Sequence, residues 1–164
     1  MTLIEKLDEL GQVVSELFPA INQGGCCVFA AMVINELQKQ GIKASGIVMD
    51  FMAHKDTHID AVRPLVKANT IFEWQNNGIH FNHVAVEFTV GRKKKHYDTV
   101  GVVNADKRFQ GMPIYQGRMT LEELEQISAR QPGWNPTFRR RDIPDIRRLV
   151  KNYLKVDKAT VPAL

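Results

Sequence analysis

The chain has 164 residues, of which 44% are hydrophobic and 24% charged, with a formal net charge of +4. That length suits one domain with its own core, here expected over residues 1–164, and the composition excludes collagen, a coiled coil or a wholly disordered chain. No apolar run approaches the ~20 residues that a membrane-spanning helix needs, so no membrane partner is expected. The N-terminal MTLIEKLDEL mixes charges into its apolar pattern, unlike a signal peptide, and the expected location is cytoplasmic. The two cysteines, Cys26 and Cys27, are neighbours. They are too close for an unstrained bridge and too few for a cysteine-rich zinc site, which leaves core packing or chemistry as their use. No metal and no cofactor is expected.

Taken in order, the first element is a helix. Thr2 and Glu5 have capping-box spacing, and Ile4, Leu7, Leu10, Val14 and Leu17 recur on one face until Pro19 stops them. A loop over residues 20–25 ends in Gly24-Gly25. A second helix is predicted from Cys26 to Gln40. It is apolar most of the way round, as a central buried helix is, and Gly41 suits its C-terminus. A strand is expected from Ile42 to Phe51, and a short helix around Ile59–Ala68. His80 to Val90 gives the clearest strand signal, with Val84, Val86, Phe88 and Val90 alternating against Ala85, Glu87 and Thr89. Gly91-Arg92-Lys93-Lys94 reads as a turn and Lys95 to Val103 as the returning strand of an antiparallel hairpin. Residues 104–118 look irregular. A third helix starts at Thr120, with Glu123 completing a second capping box. Pro132, Gly133 and Pro136 mark a loop, and a last helix runs from Pro144 to Val156. The expected class is α+β: helices, a small antiparallel sheet, then helices.

Cys26 stands where a glycine-rich loop turns into a buried helix. The unpaired N–H groups and positive dipole of a helix start favour thiolate over thiol. A thiolate attacks carbonyls, and the same N–H groups could hold the resulting oxyanion. A nucleophile of this kind needs a base, and the base needs an orienting group. His83 and Asp98 lie on the two arms of the hairpin, where diagonal neighbours on one face come within side-chain reach. Cys27 points about 100° away on a helix, so packing is its expected role. Gln23 or Asn22 is a candidate side-chain donor to the oxyanion.

The segment Gly25-Cys26-Cys27-Val28-Phe29-Ala30 resembles the active-site segment of transglutaminases, with Gly24-Gly25 in place of Gly-Gln and Cys27 in place of the tryptophan. Leu37 to Val48 is similar to the leucine, Gly-Ile and strand that follow in that family. Asn82-His83-Val84-Ala85-Val86-Glu87 resembles its histidine strand, and Tyr97-Asp98-Thr99 its aspartate segment. The resemblance covers about residues 22–103. Arylamine N-acetyltransferases share the Cys, His, Asp order, but their Arg-Gly-Gly-x-Cys sequence is missing here.

The resemblance implies a papain/transglutaminase-like core: N-terminal helices, one of them buried and carrying the nucleophile, packed on a small antiparallel sheet with a helical C-terminus. It implies catalytic Cys26, His83 and Asp98, with Gln23, Gly25 and Cys27 shaping the site. Cys26 would form a thioester with a peptide, protein or small acyl substrate, His83 would shuttle the proton and Asp98 would hold the imidazole. Hydrolysis of amide or ester is the preferred outcome, and transfer to an amine the other.

Two rival readings come from other residues. His54 and His58 stand four apart with Asp56 between them, and His80, His83 and His96 cluster in sequence, a pattern that can mark a metal. The excess charge gathers in Arg92-Lys93-Lys94-Lys95 and between Arg139 and Lys155, expected as a solvated turn and a solvated helix face. The second rival is therefore a catalytically idle domain of the same fold, acting as a binding module whose basic C-terminal helix contacts nucleic acid or an acidic partner.

Overall fold

The computed structural model describes residues 1–50, 83–111, 115–130 and 138–155. Among these are five α-helices: α1 (Leu3–Leu17), α2 (Cys26–Lys39), α3 (Val102–Gly111), α4 (Leu121–Arg130) and α5 (Ile143–Tyr153). Four strands, β1 (Ala44–Asp50), β2 (His83–Val90), β3 (Lys93–Tyr97) and β4 (Tyr115–Met119), form an antiparallel sheet in the order β3-β2-β1-β4. The class is α+β. The expected short helix around Ile59–Ala68 lies outside the described residues.

Both capping boxes form. Thr2 and Glu5 satisfy each other's backbone N–H groups at the head of α1, and Thr120 and Glu123 do the same before α4. α2 ends in a Schellman motif: Ile42 N–H reaches the Leu37 carbonyl at 3.0 Å and Gly41 N–H that of Gln38 at 2.9 Å. Gly41 takes φ 75°, a conformation in which a side chain would be strained.

α2 is the spine of the core. It buries Phe29, Ala30, Ala31, Met32, Val33, Ile34 and Leu37 and packs on β1, β2, α4 and α5. Val84, Val86 and Phe88 of β2 meet it from the sheet. Truncating a fully buried residue such as Ile34 to alanine costs about 2–5 kcal/mol in such surroundings. Gly46 of β1 has no room for a side chain, because a Cβ there would lie 2.6 Å from Leu124 of α4.

The second half departs from the expected order in three places. The hairpin turn is shorter than expected: Val90 pairs with Lys93, which leaves only Gly91 and Arg92 between the strands, with Gly91 at φ 60°. The returning strand stops at Tyr97, because Asp98 and Gly101 close a turn through a Gly101 N–H to Asp98 carbonyl bond of 3.1 Å. The stretch expected to be irregular instead supplies α3 and β4, so the sheet is completed after a helix rather than in one block. α3 was hidden by its weak apolar face, and β4 by its single five-residue length.

Candidate active site

The loop into α2 is built for close approach. Gly24 takes φ 114°, and a Cβ on Gly25 would lie 2.7 Å from the Phe138 ring and 2.8 Å from the Ile21 carbonyl. Gly25 is the N-cap and offers no side chain to the helix start. The first-turn N–H groups and the positive end of the dipole are thereby left for a ligand beside Cys26. Cys26 itself is half-buried and free.

His83 opens β2 and is 8% exposed, and Asp98 follows β3 at 4%. Val86 pairs with Tyr97, so the next step of the register sets Asp98 against Ala85 and makes His83 its diagonal neighbour. The bend after Tyr97 turns the carboxylate back along the strand. Its Oδ2 lies 2.7 Å from His83 Nε2, and its Oδ1 accepts the Val100 N–H at 2.9 Å. With Nε2 taken by Asp98, Nδ1 is the ring nitrogen left for the thiol.

The aspartate turn is anchored to the helices. Thr99 Oγ1 bonds the Asn22 amide at 2.8 Å, and Ser15 Oγ donates to the Thr99 carbonyl at 3.2 Å. Asp8 of α1 accepts the Val102 N–H at 2.7 Å and so caps α3. The loop before the thiol and the turn bearing the carboxylate are thus tied across the fold by Asn22 and Thr99.

These contacts set the proton balance. The Cys26 thiol is drawn well below its ordinary 9.0, first by a hydrogen bond from the Cys27 thiol. Burial opposes this, while the hydrogen bond and charge of His83 and the Val84 backbone assist it. Cys27 is pushed the other way, by donating to Cys26 and by burial. Burial works to lower the His83 pKa, but the Asp98 bond, the Cys26 bond and both charges outweigh it and raise the ring to about 9. Asp98 stays below its ordinary 3.8: burial alone would raise it, and the His83 bond and charge, the Val100 N–H and the Arg108 charge prevail. The arrangement favours a thiolate–imidazolium pair backed by a carboxylate.

Comparison with family models, with curated proteins and with solved structures gave no match.

Cys26, His83 and Asp98 come together, Gly25 stands at the helix start, and Cys27 packs against the core while donating to Cys26. Asn22 spends its amide on Thr99, and the Gln23 side chain is exposed with no hydrogen bond among the described residues. His54, His58, Asp56 and His80 lie outside the described residues. No group of three or more metal-ligating side chains is found among those described. His96 is 3.0 Å from Asp106 instead.

Sequence reasoning missed Phe138 and Arg108. Phe138 is buried against Gly25; it follows Pro132, Gly133 and Pro136 in the sequence, whose expected loop lies outside the described residues, and an aromatic there was the available signal. Arg108 donates to Asp98 Oδ2 at 3.2 Å from the unforeseen α3, and only the helix could have revealed it. A cavity of about 450 Å³ runs along the opposite stretch of α2, between Met32, Glu125, Arg147 and Lys151, and does not include the thiol. No described helix is long and apolar enough to cross a membrane.

Proposed function

We propose that this chain is a thiol-dependent acyl-transfer enzyme with a papain/transglutaminase-like core. One observation carries the reading: a buried histidine, held by a carboxylate at 2.7 Å, stands by a cysteine at the uncapped head of a core helix and helps draw its pKa down. Cys26 thiolate attacks the carbonyl of a peptide, protein or small acyl substrate. The first-turn N–H groups of α2 receive the oxyanion. His83 gives its proton to the leaving amine or alcohol and then takes one from water, and Asp98 fixes the imidazole. Hydrolysis is the preferred outcome, with transfer to an amine as the variant in which that nucleophile replaces water. Two free thiols suit the reducing cytoplasm.

The test is incubation with a library of peptides, esters and amides, followed by intact-mass analysis after acid quench. A hydroxylamine-labile adduct on Cys26, absent from Cys26→Ser, is the expected result. In parallel, iodoacetamide should label Cys26 faster than Cys27 at neutral pH, and His83→Ala should slow that labelling. Equal slow labelling of both thiols, with no adduct from any donor, would sink the reading.

A further inference from the structure

We propose that Arg108 is a positioning residue of this site, which fixes the Asp98 carboxylate and limits how strongly that carboxylate holds the proton on His83. The inference rests on the thiol-enzyme reading for its significance but not for its test.

Asp98 Oδ2 is shared: His83 Nε2 lies 2.7 Å from it and Arg108 Nη1 donates to it at 3.2 Å. Oδ1 is occupied by the Val100 N–H at 2.9 Å. Three donors from three directions leave the carboxylate one orientation. Arg108 also brings a permanent positive charge that a neutral donor would lack. One oxygen separates that charge from the imidazolium, so it opposes protonation of His83 while holding Asp98 ionised.

The opposition has a use. Asp98 alone would bind the imidazolium proton tightly, and a base that never releases its proton cannot pass it to a leaving group. A cation on the same oxygen weakens that hold without removing the orienting bond. Arg108 is placed for this by α3, whose first N–H, that of Val102, donates to Asp8 of α1. Among the described residues, the other titratable groups facing the pair are Cys26 from α2, itself next to Cys27, and Tyr97 at the end of β3. The Asp8 charge is directed to Tyr97 and to the α3 start. None of these supplies a second permanent cation at Asp98.

The experiment is a two-dimensional NMR titration of the His83 ring in the full-length chain, for wild type, Arg108→Gln and Arg108→Lys, with Cys26 alkylation followed over the same pH range. Arg108→Gln should move the His83 midpoint to higher pH by about half to one unit, as expected for losing one charge at a partly solvated site. The alkaline limb of the alkylation profile should move with it, and Arg108→Lys should bring the midpoint most of the way back to the wild-type value. Should the Gln variant fail to fold, Arg108→Met keeps the stem's packing and carries the same expectation. An unmoved midpoint in a folded neutral variant overturns the proposal, even if its melting temperature falls. A midpoint that moves while no acyl adduct forms in wild type retains the role of Arg108 and rejects the enzyme instead.

Discussion

The same hairpin carries two histidine–carboxylate pairs that differ in their company. His83 meets Asp98 at 2.7 Å and His96 meets Asp106 at 3.0 Å, both at low exposure. The first pair has a thiol on its free side and, among the described residues, a single cation, Arg108, behind it. The second is set among charges: Lys95 binds Asp106 at 2.8 Å, and His96 Nε2 lies 3.5 Å from Glu87, which also receives Arg118 and Lys94. α3 serves both, with Asp106 for one and Arg108 for the other. A histidine beside a carboxylate is thus not itself a catalytic feature. The third neighbour separates the two: under the proposed function the thiol makes the first pair a base, while counter-ions tie the second pair into a strut.

The same substitution in both pairs should separate these roles most sharply. Asp98→Asn removes the anion that orients and charges His83, and we expect Cys26 acylation to slow by about 10²–10⁴-fold with the fold retained. Asp106→Asn should leave that rate within about threefold, since no reacting group is near it, and should lower the melting temperature. Single-turnover acylation and thermal melts on both variants provide the check, and equal rate losses would erase the distinction.

Next in size is Glu87→Gln. Glu87 is 8% exposed and accepts Arg118 at 2.9 and 3.1 Å and Lys94 at 3.2 Å. Its pKa is lowered because those cations and bonds outweigh burial. Neutralising it should cost about 1–3 kcal/mol in urea unfolding, with no change in Cys26 alkylation. A variant as stable as wild type would show the second cluster to be solvent-screened ornament rather than a strut.

The legibility of the molecule in its sequence follows the same division. α1, α2 and α4 declared themselves through period and caps, and β2 through alternation, because their signals are local. The His83–Asp98 contact was legible because the hairpin converts spacing into a diagonal contact, and Cys26 stood out only by its place where a glycine-rich loop enters a buried helix. The strut was not. Lys94 and Lys95 looked like a solvated turn, yet a two-residue turn at Gly91-Arg92 put them in β3, where they reach Glu87 and Asp106. α3 also escaped, and with it Arg108 and Asp106. Its pairing partners lie on other elements, and a short polar helix carries little period of its own. Phe138 packs on Gly25 from more than 110 positions away, a contact that no local pattern encodes.

The two pairs should also respond differently to pH. His83 titrates at about 9 in the folded chain against an ordinary 6.5. Its stabilisation is therefore complete below 6.5 and lost as pH rises through 9. Cys26 runs the other way: its contribution is present above the ordinary 9.0 and lost as pH falls through its depressed value. Between those limits the folded chain keeps one proton on the ring and the unfolded chain keeps one on the thiol, so the slopes cancel. Cys26→Ala breaks the cancellation. Asp98 still holds the ring proton in the folded state, so stability should fall with rising pH above about 6.5, by about 1.4 kcal/mol per unit at most. Urea midpoints at four pH values measure it, and a flat Cys26→Ala curve would deny the shared proton.

The smallest expected effect tests the edge of the strut. Lys94 is 59% exposed in its side chain, and its contact with Glu87 Oε1 at 3.2 Å faces water. Arg118 holds the same carboxylate through two bonds, so Glu87 keeps a partner when Lys94 is removed. Lys94→Ala should therefore cost no more than about 0.5 kcal/mol, and less at high salt. A loss matching that of Glu87→Gln would mean that Lys94, and not Arg118, is what keeps the buried carboxylate charged. The strut would then depend on the hairpin turn that places Lys94 in β3.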